Sequence, residues 1–128
     1  MVSVQDVRSF LNNIASQRVS DDAIEKQIEI ANVRVQAEKS SLATSEQIED
    51  ATLVFAGYLT MIAYAAQYER SVGALPSEIS RHIALLETMT EAMMQYIKRF
   101  SPSFTPLVAQ PGTLIAQYKE GLLNGDDY

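Results

Sequence analysis

Residues 51–68 read ATLVFAGYLTMIAYAAQY, and these 18 consecutive positions carry no charged side chain. The apolar residues do not keep to one stripe at helical spacing but occupy most of the circumference of a helix. A helix with that pattern lies at the centre of a protein, packed on several sides. Gly57 costs such a helix about 1 kcal/mol relative to alanine, so we expect a close approach of another backbone there.

The same segment has a second interpretation as a membrane span, because 18 uncharged residues lie at the lower edge of what crosses a bilayer. Polar residues dilute it, and acidic residues precede it directly. No cluster of basic residues flanks it to set an orientation. Residues 1–10 also lack the apolar run of a secretory signal. We therefore expect a buried helix in a soluble, intracellular protein that has no membrane partner.

A short helix is predicted near the N-terminus. Ser3 is a natural N-cap, and Asp6 follows three residues later, as in a capping box. Asn12 and Asn13 can end this helix, because asparagine tolerates the left-handed conformation. Apolar residues at spacings of three, four and three form one stripe along it: Val4, Val7, Leu11 and Ile14.

The second predicted helix has the clearest start in the chain. Ser20 can cap it, and Asp21 and Asp22 place negative charge against the positive end of the helix dipole. The residues expected on its buried face recur at spacings of four, three and four: Ile24, Ile28, Ala31 and Val35. The residues expected on its solvated face are Glu25, Lys26, Glu29 and Lys39.

Capping residues also mark the third and fourth helices. Thr44 or Ser45 can cap the third, and Ser77 is expected to cap the fourth. The fourth helix would run for about 23 residues to Phe100, which is roughly 35 Å. Small residues form a ridge along the third helix that favours close packing within the chain: Thr52, Ala56, Thr60 and Ala63. A bulky face lies beside that ridge: Phe55, Leu59, Ile62 and Ala66.

The composition changes after Phe100, where prolines at 102, 106 and 111 break helices and favour extended segments. Apolar residues are nevertheless interleaved with them: Phe104, Leu107 and Val108. A short amphipathic helix can follow, with Leu114, Ile115, Tyr118 and Leu122 on its apolar face. Two interpretations stay open: a strap folded back over its own bundle, or an arm that docks on a neighbouring protein through these seven residues.

These patterns together predict an all-α protein, a small bundle of four main helices with an extended C-terminal arm. Residues 1–100 would form the helical bundle domain. Residues 101–128 would form the arm, which can contain a short terminal helix. A chain of 128 residues buries roughly two-thirds of its unfolded surface on folding, which is enough for one core.

The composition argues against catalysis, metals and cofactors. The chain has no cysteine and one histidine, which removes disulfides, thiolate sites and almost every histidine-based metal or triad site. Glu78 precedes His82 by four residues, rather than by the three of a di-iron helix motif. We therefore expect no enzyme, no metal and no cofactor, and we expect His82 to lie at the surface or half-buried.

Nucleic-acid binding is also disfavoured, because the net charge is −6 and such binding depends on neutralising phosphates. Residues 1–50 carry five basic and nine acidic side chains. A helix-turn-helix built from the first two helices would bring Asp21, Asp22 and Glu25 toward the phosphates. We expect no sequence-specific nucleic-acid partner, and the patterns point to assembly rather than catalysis.

The layout of roughly the first hundred residues resembles a known family. Residues 4–11, VQDVRSFL, lead to residues 19–31, VSDDAIEKQIEIA, and later to an alanine- and tyrosine-rich helix. This layout resembles that of the small head–tail connector, or adaptor, proteins of tailed double-stranded DNA bacteriophages. The likeness lies in helix starts and apolar spacing, and it includes no catalytic motif.

The resemblance implies a structural virion protein at the head–tail junction, made in the host cytoplasm. In that family a small helical domain assembles into a ring, usually twelve-fold, beneath the portal of the filled capsid. A C-terminal arm reaches up to the portal protein, and the other side receives the tail or a tail-completion protein. The ring helps to retain packaged DNA, and the segment after Phe100 would be the arm. The alternative is a cytosolic helical regulatory or protein-interaction domain that acts as a dimer.

Overall fold

The chain folds into helices around one long central helix. The structure, a computed structural model, describes residues 1–12, 18–101 and 111–119. In chain order its helices are α1 (Val4–Phe10), α2 (Asp21–Glu38), α3 (Ser45–Val72), α4 (Ser77–Arg99) and α5 (Pro111–Lys119). The first four pack against each other as the main helices of a small bundle. The predicted all-α class is therefore confirmed, and α5 is the short helix predicted near the C-terminus.

Helix α3 occupies the predicted central position, with α1, α2, α4 and α5 all packed against it. Thr44 is its N-cap: the Gln47 backbone N–H donates to the Thr44 hydroxyl over 3.1 Å, and the Gln47 side chain accepts from the Thr44 N–H over 3.0 Å. Gly73 ends the helix in the left-handed conformation, with φ of 84°. Of the helices that the structure describes, none combines the length and the hydropathy needed to cross a bilayer.

Helix α2 follows the sequence pattern residue by residue. The Ser20 hydroxyl accepts a hydrogen bond from the Ala23 N–H over 3.2 Å, which confirms the predicted cap. The start is also tied to α1, because Arg8 donates to the Val19 carbonyl over 3.1 Å and pairs with Asp21. All four residues predicted for its buried face are buried: Ile24, Ile28, Ala31 and Val35.

Helix α1 begins where predicted but is shorter than the apolar stripe from Val4 to Ile14. Ser3 and Asp6 form both hydrogen bonds of the capping box, at 3.1 and 2.9 Å. The helix ends at Phe10, and Asn12 adopts the predicted left-handed conformation with φ of 56°. Val7 and Leu11 are buried and Val4 is half-buried. Asn13 and Ile14 lie outside the described residues.

Helix α4 corrects one predicted cap. Pro76, with φ of −58° and ψ of 144°, holds the N-cap position, and no side chain caps the helix. Ser77 is already the first helical residue, so the prediction that it caps the helix was wrong. The length of 23 residues is as predicted, with Lys98 and Arg99 in the last turn. Ile97 accepts a hydrogen bond at its carbonyl from the Ser40 N–H over 2.8 Å, which ties α4 to the turn between α2 and α3.

The two predicted faces of α3 differ in how fully they pack. On the small-residue ridge, Thr52, Ala56 and Thr60 are buried, which confirms close packing within the chain. On the bulky face Phe55 is buried, whereas Ile62 is 40% exposed. Toward the C-terminal end of α3, Val72 is also exposed to solvent.

Candidate functional site

Tyr118 fixes α5 to the bundle. Its side chain is 3% exposed, and its ring stacks on Phe10 of α1 with the ring centroids 4.6 Å apart. His82 of α4 also contacts Tyr118, with its ring centroid 5.5 Å from that of Tyr118 and its Nε2 atom in contact with the phenol oxygen. Helices α1, α4 and α5 therefore meet at one side chain. We call Phe10, Tyr118 and His82 the aromatic stack.

The aromatic stack rests against Gly57 of the central helix. A Cβ atom at this position would lie 2.8 Å from both Cδ2 and Cε2 of Phe10, which is closer than carbon atoms approach in proteins. The predicted close approach at Gly57 is therefore present, although the group that approaches is a ring rather than a backbone. Because Phe10 is fully buried, the ring has little room to move away.

A methyl group at Gly57 should therefore destabilise the protein. Alanine gains about 1 kcal/mol over glycine in a helix, but overpacking a buried ring typically costs about 1–3 kcal/mol. We expect Gly57→Ala to lower the free energy of unfolding by about 1 kcal/mol net, measured as the urea midpoint followed by circular dichroism. A variant more stable than the parent would show that Phe10 does not press on this position.

The structure describes some of the residues predicted for the arm and not others. Ile115 and Tyr118 are buried, and Leu114 is half-buried against the chain's own core. In this structure α5 therefore has the contacts of a strap, one of the two interpretations left open by the sequence. The remaining predicted anchors lie outside the described residues: Phe104, Leu107, Val108 and Leu122. Docking of this segment on another protein stays a prediction.

Removal of the Tyr118 ring should release α5 from the bundle. In Tyr118→Ala both ring contacts disappear, and we expect the amides of residues 112–119 to exchange with deuterium about tenfold faster or more. Tyr118→Phe keeps the stacking on Phe10 and should keep most of the protection. Hydrogen exchange read by mass spectrometry checks both variants. Equal exchange in the alanine variant and the parent would contradict the role given to Tyr118.

A groove opens between the N-terminal residues, α2 and the first turns of α3, with a volume of about 1090 Å³. Apolar side chains form its floor: Val2, Val4, Ile28 and Ile48. Carboxylates stand along its edges: Glu25, Glu29 and Glu49. We call it the N-terminal groove. Glu25 and Glu29 are exposed, as the sequence predicted. The sequence pattern did not predict that α1 and α3 would form a concave surface beside them.

The charge of the N-terminal groove is strongly one-sided. None of the groove's lining residues, all of which the structure describes, is a lysine or an arginine. The one cationic group is the Met1 ammonium, which donates to the Glu49 carboxylate, and this hydrogen bond raises the pKa of the amine. Of the ion pairs found within residues 1–12, 18–101 and 111–119, none involves Glu25 or Glu29. Two carboxylates therefore face the groove without a cation.

A second, smaller groove of about 620 Å³ lies between α2, α3 and α4. Its arginine is engaged internally, because Arg34 pairs with Glu38 over 3.0 Å and lies over the Phe55 ring at 5.5 Å. The Tyr58 phenol lies 3.4 Å from the Glu87 carboxylate. Burial raises the pKa of this phenol above its usual value, and the negative charge of Glu87 raises it further. Several polar side chains of the second groove are therefore already paired with one another.

No match was found for this chain among models of known protein families, curated proteins or solved structures. In the part of the chain that the structure describes, no three acidic, histidine or cysteine side chains lie close enough together to hold a metal ion. The described His82 is half-buried, as predicted, and contacts Tyr118.

Proposed function

We propose that this chain is a structural virion protein, a head–tail connector that forms a ring beneath the portal and joins it to the tail. It has no enzymatic activity in this role and helps to retain packaged DNA. The observation that carries the proposal is the attachment of α5: a separate C-terminal helix is held on a helical bundle by a few side chains, chiefly Ile115 and Tyr118. Such a segment can exchange its contacts for those of a partner.

The charge of the chain supports the same role. A ring around a DNA channel must let DNA slide, and a protein of net charge −6 does not grip phosphates. A closed ring of identical subunits also needs two different complementary surfaces on each subunit. The region around α5, where Ile115 and Tyr118 are buried, is a candidate for one of these surfaces. The resemblance to connector proteins supplies the identity of the neighbours, a portal protein and a tail or tail-completion protein.

The proposal is tested with the portal protein encoded by the same genome. The purified chain, mixed with assembled portal rings, should sediment with them and appear as an added ring on one face in electron micrographs. A chain that stays in the supernatant at every concentration tested would overturn the connector function. Portal and terminase genes beside the gene for this chain would support the function independently, and a genome without a portal gene would contradict it.

A second function, a cytosolic regulatory or protein-interaction domain acting as a dimer, is favoured by one specific observation. Helix α5 covers part of its own bundle as a lid would, while the N-terminal groove stays open. A domain of this kind would use the open groove for one partner helix and would not need a portal. It should be a stable dimer at all concentrations, whereas the connector should form rings only on the portal.

A further inference from the structure

We propose that the N-terminal groove binds a basic amphipathic helix of a partner protein. Apolar side chains of that helix, spaced at i, i+3 or i+4 and i+7, would cover the floor of the groove. Lysine or arginine side chains beside them would face Glu25 and Glu29, neither of which forms an ion pair within the described part of the chain. The proposal does not rest on the connector function, because the groove has the same character in either setting.

The floor of the groove is suited to apolar contact. Ile28 is 8% exposed and closes the bottom, and Val2, Val4 and Ile48 are half-buried beside it. The Thr52 hydroxyl, which also lines the groove, donates to the Ile48 carbonyl over 2.8 Å and so is satisfied within α3. A partner therefore gains by covering apolar surface here and does not leave this hydroxyl without a hydrogen bond.

The dimensions fit a short helix. The α2 residues that line the groove run from Glu25 to Gln36, and this stretch measures about 17 Å at the helical rise per residue. A partner helix of about three turns spans that distance. Glu25 and Glu29 are one turn apart on the same side of α2, so two basic residues one turn apart on the partner can meet them together.

A helix fits better than an extended peptide because two sides of the groove are formed by the helices α2 and α3. Apart from the N–H groups in the first turn of α3, the backbone groups of α2 and α3 along the groove are used within those helices, so these two helices offer no sheet edge for strand addition. A partner helix satisfies its own backbone and needs only side-chain contacts from the groove.

The negative charge of the groove disfavours other classes of partner. Lipid headgroup phosphates and nucleic acids would be repelled by the three carboxylates at the edges. A second copy of this chain is a poor occupant, because the chain carries 16 acidic and 10 basic residues. Its most strongly amphipathic helix, α4, already buries its apolar face in its own core, including Leu86, Met93 and Ile97.

The test uses designed peptides as probes, since the natural partner is unidentified. A fluorescent peptide of leucine and lysine, patterned as an amphipathic helix, is titrated with the full chain at physiological salt and followed by anisotropy. Three peptides serve as controls: the same pattern with glutamate for lysine, the same composition scrambled, and the same charges with glutamine for leucine. We expect the leucine–lysine helix to bind at micromolar concentration and each control peptide to bind at least about tenfold more weakly.

Matched protein variants locate the binding. The double variant E25K/E29K replaces two attractions by two repulsions, and we expect it to weaken binding about tenfold or more. The double variant E87K/E91K makes the same change in net charge at the same helical spacing on α4, beside the second groove. It should change the affinity by less than about threefold. All four residues are exposed, so both variants are expected to fold, and circular dichroism verifies this.

The outcomes separate the proposal from its rivals. A loss of binding confined to E25K/E29K supports the proposal, and stronger binding of the glutamate peptide to that variant supports it further. Equal loss in both double variants would show general electrostatic attraction and overturn it. Equal binding of the scrambled peptide, or no binding at millimolar concentration, would also overturn it. So would self-association of the chain that E25K/E29K abolishes, because the groove would then be an interface between two copies.

Discussion

Replacing Phe10 by alanine is expected to lower the free energy of unfolding by about 3–5 kcal/mol, the range typical of a buried phenylalanine. Phe10 is fully buried, lies against Gly57, and stacks on Tyr118. Its removal leaves a cavity where α1, α3 and α5 meet. Because small domains are stable by about 5–15 kcal/mol, the variant should be close to the limit of folding. Urea unfolding followed by circular dichroism measures the effect.

Phe100→Ala is the matched control for this prediction. Phe100 follows α4, is half-buried, and has its ring centroid 5.8 Å from that of Tyr96. Deletion of a half-buried ring removes less apolar surface, so this variant should lose roughly half as much stability as Phe10→Ala. Phe10→Ala should also speed hydrogen exchange in α5, because Tyr118 loses its stacking partner. Equal destabilisation by the two variants would contradict the claim that Phe10 contributes more to stability than Phe100.

Deleting residues 101–128 is expected to abolish attachment to the portal while leaving α1 to α4 helical. The connector proposal assigns portal docking to this segment, so a chain without it should stay in the supernatant when portal rings are sedimented. Circular dichroism should show a helical protein with a lower urea midpoint, since the deletion removes the buried Ile115 and Tyr118 side chains. Unchanged attachment after the deletion would refute the arm as the docking element.

A substitution in the same segment keeps the test valid if the truncated chain is too unstable to study. The double variant F104S/L107S retains α5 and removes two of the predicted apolar anchors. We expect it to attach to the portal at least about tenfold more weakly, because each anchor buried at an interface contributes about 1–3 kcal/mol. Ser103→Ala, which removes no predicted anchor, is the control and should attach as the parent does. Parent-like attachment of the serine variant would exclude these anchors.

The helices that the sequence predicted best are those whose signals are local. In α2 a serine cap, acidic residues in the first turn and apolar spacing of four, three and four all agree, and the observed buried face matches. Ser77 shows the limit of such signals. Pro76 enters α4 with an extended backbone and takes the cap position itself, and a serine just inside a helix looks the same in the sequence as one at its cap.

The candidate sites depend on contacts between residues far apart in the chain, and the sequence indicated them only in part. Gly57 predicted the close approach of another backbone to α3, whereas the group that approaches is the Phe10 ring, since a glycine does not specify its neighbour. The apolar pattern of α5 predicted a buried face but could not decide between its own bundle and a partner. The N-terminal groove was not predicted, because its shape is set by the way α1 and α3 pack against α2.

The most direct test of the connector function is the mass of the assembled species, measured by sedimentation velocity with and without portal rings. We predict a chain that is monomeric alone over a wide range of concentrations and that adds to the portal as a complete ring of subunits. A stable dimer at every concentration, with no change on mixing with the portal, would contradict the connector function and favour a regulatory domain.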